Sequence, residues 1–85
     1  MTNPVVLILG AGPGLGQYTA RVFAEKAWRV ASASRIRKDQ LLENGQLDLH
    51  VDVTDPESTE NVFYKVKRFF GECPTVVIYN GRSGP

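Results

Sequence analysis

The sequence contains one cysteine and one histidine, so it holds neither a disulfide framework nor a quartet of soft metal ligands. Cys73, just before Pro74, reads as a small semi-buried thiol. His50, inside an apolar stretch, reads as a strand residue rather than a ligand or a base. Long apolar runs are missing too. The longest, Val5–Leu9, is far below the ~20 residues that a bilayer-spanning helix needs. No charged segment precedes it, so it does not read as a secretory leader. These absences leave a reducing, cytoplasmic location and no membrane partner as the expectation. An excess of either charge is lacking as well. Ten basic against nine acidic residues give a net charge of +1, and no basic cluster is longer than Arg35, Arg37 and Lys38. That balance argues against a nucleic-acid partner.

What is present is an ordinary globular composition, 42% hydrophobic and 22% charged. Eighty-five residues make one domain at most, and a chain of that size buries only about 60–65% of its unfolded surface. Short apolar runs alternate with helical periodicity, the pattern of a parallel sheet built from strand–helix–strand units. Val5–Leu9 is continuous and aliphatic, as expected of a strand covered on both faces. After a glycine-rich turn, Leu15, Tyr18, Thr19, Val22 and Phe23 recur at three- and four-residue steps, which marks one face of a helix. Trp28–Ser34 reads as the second strand. Asp39–Asn44 has room only for a short helix, with Gly45 as its stop. Leu47–Val53 reads as the third strand. A helix start follows, either a capping box of Thr54 and Glu57 or an Asp55 cap with Pro56 at the first helical position. Val62, Phe63, Val66, Phe69 and Phe70 form the apolar stripe of that helix, Gly71 ends it, and Thr75–Tyr79 is the fourth strand.

Right-handed crossovers then dictate a four-stranded parallel sheet of order 3-2-1-4 with three helices. The first two helices lie on one face and the third on the other. This is an α/β, Rossmann-like partial domain over residues 1–85. Its fourth strand is an uncovered apolar edge, a surface for association or homo-oligomerisation.

The turn Gly10-Ala11-Gly12-Pro13-Gly14-Leu15-Gly16 stands between a buried strand and a helix, where a phosphate cradle belongs. Glycine there permits a tight turn, close backbone approach to a pyrophosphate, and close packing of helix on strand. The helix N-terminus adds free N–H groups and partial positive charge. The spacing is not GxGxxG, because the sixth position from Gly10 is Leu15. It is not a Walker A loop either, because no Gly-Lys-Ser/Thr follows. It fits GxxxGxG on Gly10, Gly14 and Gly16, and the expected cofactor contacts are Gly10, Gly14, Leu15 and Gly16.

With these residues in place the chain resembles the short-chain dehydrogenase/reductase family over essentially its whole length. Asp52-Val53-Thr54-Asp55 is similar to the family's adenine-pocket motif. By that resemblance Asp52 accepts from the adenine amino group, with the Val53 backbone beside it. Tyr79-Asn80-Gly81 resembles the Asn-Asn-Ala-Gly segment, with Asn80 and Gly81 beside the cofactor ribose. Tyr79, Gly81 and Arg82 depart from that pattern and mark a divergent branch.

The choice of cofactor rests on the end of the second strand. There a carboxylate would hold the ribose hydroxyls of NAD, but the sequence offers Ser34, Arg35 and Arg37, and the first acidic residue is Asp39. A guanidinium pairs with a 2′-phosphate, which NAD lacks. Ser34 and Arg35 therefore favour NADP over NAD, and the resemblance agrees.

The family's chemistry, hydride transfer between a nicotinamide and an alcohol or carbonyl, uses a Tyr-x-x-x-Lys pair. Four residues after Tyr18, Tyr64 and Tyr79 stand Val22, Arg68 and Ser83, so none of the tyrosines forms that pair. The sequence supplies no catalytic residue and no metal ligand set. The leading expectation is the NADP-binding N-terminal portion of an oxidoreductase, inactive alone. A freestanding NADP-binding or sensing module is an alternative. So is a structural remnant that dimerises through its exposed strand.

Overall fold

A run of aliphatic residues without polar alternation is stable only where both faces of its strand are covered. In the computed structural model, which describes residues 3–10 and 13–79, Val5–Leu9 forms such a strand, β1, and is buried throughout. Helix α1 spans Pro13–Glu25 and strand β2 spans Arg29–Ser34. Strands β3, Gln40–Leu41, and β4, Leu47–His50, come next. Helix α2 spans Pro56–Phe70, and strand β5 is Val76–Tyr79.

The sheet order is β3-β4-β2-β1-β5. Strands β1, β2, β4 and β5 run parallel, with Leu7 paired to Ala31 and Val77, and Ala33 paired to Leu49. The order expected for the four long strands therefore holds. Two expectations do not. The segment 39–44 is not a helix, so there are two helices rather than three. The sheet has five strands, because Gln40 and Leu41 pair antiparallel with Asp48 and Leu47. A six-residue helix closes too few hydrogen bonds to offset its nucleation. The alternative satisfies the backbone instead: Leu42 N–H donates to the Gln46 carbonyl, Gly45 N–H donates to the Leu42 carbonyl, and Asn44 Oδ1 accepts from Gln46 N–H. Gly45, at φ 89°, turns this hairpin rather than stopping a helix.

Strand alternation sorts the core into two layers. Val62 and Val66 of α2 pack on Val5, Leu7, Leu9, Ala31, Ala33, Leu47 and Leu49, with Val51. Ala20 of α1 packs on Val6, Ile8 and Val30, with Phe23, Trp28 and Ile78 at its margin. The helices thus lie on opposite faces, as the crossover rule requires. Asp55 caps α2 by accepting from Glu57 N–H at 3.0 Å, Pro56 is at the helix start, and Gly71 closes the helix in the left-handed region. Cys73 is exposed rather than semi-buried, since the loop after Gly71 leaves the core before β5 begins. No described helix is long and apolar enough to cross a membrane.

Candidate functional site

The four parallel strands bring their C-terminal ends, Leu9, Ser34, His50 and Tyr79, to one edge of the sheet. The chain leaves β1 towards β2 and β4, then returns past it to β5. Such a reversal opens a crevice above the strand ends. Gly10 stands at this point. Its φ of 83° is in the region that favours glycine, and its N–H donates to the Ala33 carbonyl at 2.8 Å. Helix α1 begins at Pro13, so Gly14, Leu15 and Gly16 occupy its first turn. Asn80 and Gly81 lie outside the described residues.

Ser34 ends β2, and its carbonyl accepts from Val51 N–H at 3.1 Å and from Arg37 N–H at 3.4 Å. Its side chain is buried and its Oγ has no hydrogen-bond partner among the described residues. Arg35 follows, exposed. Among the described residues it makes no hydrogen bond or ion pair, yet its charge lies near enough to Asp52 to help hold that carboxyl down. Arg37 behaves differently. Its Nη1 donates to Asp48 Oδ2 at 3.0 Å, and both side chains are largely buried. The two arginines therefore have different fates.

Asp52 and Val53 follow β4. Asp52 N–H donates to Ser58 Oγ at 2.9 Å, while Asp52 Oδ1 accepts from Thr54 Oγ1 at 2.6 Å and Thr54 N–H at 3.0 Å. The Thr54 hydroxyl, then the Thr54 N–H, and beyond them the charges of Arg35 and His50 hold this carboxyl below its ordinary value. It is therefore a fixed anion with Oδ2 free of described hydrogen bonds. Val53 packs against the α2-side core. His50 is exposed at the end of β4, and its N–H donates to Asp39 Oδ1 at 2.8 Å.

The structure thus gathers Gly10, the first turn of α1, Ser34, Arg35, Asp52 and Val53 on one edge. Three participants escaped the sequence reading: Asp48, which takes Arg37 out of solvent, and Thr54 and Ser58, which orient Asp52. Asp48 carried a signal, because a carboxylate between Leu47 and Leu49 in a buried strand demands a cationic partner. No group of three or more described His, Cys, Asp or Glu residues is arranged to hold a metal ion.

A short chain dehydrogenase/reductase from Cryptosporiopsis sp. (strain 8999), dmxR12, is 37% identical over 86 residues, covering 98% of this chain and 33% of that protein. An uncharacterized oxidoreductase of Bacillus subtilis (strain 168), YxbG, is 33% identical over 99% of the chain and 33% of its own length. A short chain dehydrogenase from Monascus ruber, pigC, is 31% identical over 99% of the chain and 32% of its own length. The chain spans about a third of the length of the curated relatives it matches. No protein-family model and no solved structure matches it.

Proposed function

We propose that this chain, which belongs to the short-chain dehydrogenase/reductase family, binds NADP(H) along the C-terminal edge of its sheet. The nicotinamide dinucleotide follows from the family, and the preference for NADP is our reading of this chain's residues. The observation that carries it is Arg35: an exposed guanidinium without a partner among the described residues stands where a carboxylate would hold NAD. Arginine offers a planar set of donors that suits a phosphate monoester. Gly10 and the first turn of α1 receive the pyrophosphate, since glycine and unpaired N–H groups let an anion approach the backbone. Asp52 Oδ2 accepts from the adenine amino group, with the Val53 backbone beside it. Asn80 and Gly81 flank the ribose. When bound, the cofactor supplies a hydride for an alcohol–carbonyl pair. The Tyr-x-x-x-Lys pair is absent from these residues, so the chain binds without turning over substrate.

Titration with NADPH and NADH, followed by nucleotide fluorescence, tests the reading. Trp28 precedes β2, at the opposite end of the strands from Arg35, so its fluorescence serves as the folding control. Charged hydrogen bonds are worth about 1.5–3 kcal/mol, which corresponds to an NADPH preference on the order of 10- to 100-fold. Arg35→Ala is expected to remove that preference and leave NADH affinity unchanged. Equal losses for both cofactors would contradict the 2′-phosphate role.

A second reading draws on β5, whose Val76, Val77 and Tyr79 are exposed. An apolar edge with unpaired backbone groups favours association between copies.

A further inference from the structure

Arg35 lies on a segment tied down on both faces of the sheet. The Ser34 carbonyl is held by Val51 N–H. Two residues past Arg35, the Arg37 guanidinium turns to the α1 side and meets Asp48 Oδ2 at 3.0 Å, while Asp48 Oδ1 accepts from Gln46 Nε2 at 2.8 Å. Two residues further, Asp39 reaches the α2 side. Its Oδ1 accepts from His50 N–H at 2.8 Å, and its Oδ2 accepts from Lys65 Nζ of α2 at 2.6 Å. The His50 N–H and the Lys65 ammonium keep the Asp39 carboxyl below its ordinary value. A loop of this kind, with no packed helix behind it, would otherwise sample many arginine positions, each diluting the bound geometry.

We propose that Asp48, through Arg37, and Asp39 are positioning residues that hold Arg35 in place and so set the strength of the NADP preference. The inference rests on the NADP reading above. Asp48 has a second effect: by engaging Arg37 in a buried pair it leaves Arg35 as the guanidinium available at the end of β2. Lys38 is exposed nearby with no described hydrogen bond. It lacks the planar fork that pairs with phosphate, and it is the competing cation that the test must separate.

The test compares 2′,5′-ADP with 5′-ADP by calorimetry, because these probes differ only in the 2′-phosphate. Arg35→Ala is expected to abolish the preference of the parent chain, and Lys38→Gln to leave it largely intact. Asp48→Asn and Asp39→Ala are each expected to cut the preference about three- to tenfold, the usual size of coupling between contacting residues, with 5′-ADP affinity unchanged. A general loss of structure would weaken both probes together, so the ratio isolates positioning. Asp39 and Lys65 are both partly exposed, so Asp39→Ala and Lys65→Gln carry the test should Asp48→Asn fail to fold. Unchanged ratios in Asp39→Ala and Lys65→Gln, with Arg35→Ala still abolishing the preference, overturn the positioning role and leave the NADP reading intact. A parent chain without preference, or an Arg35→Ala variant that keeps it, overturns both.

Discussion

Single residues on the α1 face of the sheet separate what stabilises the chain from what it binds with. Ser32 and Ser34 are buried, and neither Oγ has a partner among the described residues. A buried hydroxyl without a hydrogen bond costs about 1–3 kcal/mol of desolvation. Ser32→Ala should therefore raise stability by about 1 kcal/mol, seen as an upward shift of the urea midpoint, and a lower midpoint would show that the hydroxyl is satisfied. Ser34 stands at the proposed site with its hydroxyl buried. A phosphate monoester loses its second charge below about pH 6. The NADPH preference is accordingly expected to shrink as pH falls through about 6, while NADH affinity stays level. A preference that holds to pH 5 would place its origin elsewhere than a phosphate dianion. Asp39 sets a lower limit to that experiment. Its folded pKa lies below the ordinary 3.8, so its contribution to stability is full above that value and is lost as pH falls further.

At the level of elements, strength of local signal decided what the sequence disclosed. The Asp55-Pro56-Glu57 start and the Gly71 stop are each read by one residue's geometry, and both appear where expected. Asp55→Ala should cost about 1 kcal/mol, the usual worth of an N-cap, measured as a lower Tm. A change within error would mean that another group caps α2. The apolar run of β1 and the periodic stripe of α2 were similarly legible, since burial on two faces and on one face leave distinct patterns, although Phe69 of that stripe is exposed. The β3–β4 hairpin was not. Asp39–Asn44 has a helix-compatible composition, and its conformation is set by non-local partners: Asp48 and Leu47 across the hairpin, and Lys65 on α2. The same contacts explain why the sequence, although it favours Arg35 over Arg37, does not disclose the buried ion pair of Arg37. Their difference depends on which face Asp48 points to, which is settled only when β4 takes its register against β2.

For the whole molecule, the Cα radius of gyration is 11.9 Å, matching the ~12 Å of a compact chain of this length. A small core of this kind leaves little reserve, and β5 is poorly covered. Val77 is 43% exposed on a strand with one neighbour. If copies associate through this edge, light scattering will show dimers or larger species that Val77→Lys returns to monomer, because a charge on an edge strand opposes pairing. A monodisperse monomer before the substitution would exclude that association.

The central claim is that the edge formed by Gly10, Ser34, Arg35 and Asp52 holds a dinucleotide and distinguishes it by a 2′-phosphate. It is tested most directly by titrating the chain and its Arg35→Ala variant with NADPH and NADH under one set of conditions. The account predicts saturable binding, an NADPH preference on the order of 10- to 100-fold, and loss of that preference in the variant. Equal affinity for the two cofactors, or a preference that survives Arg35→Ala, would contradict it.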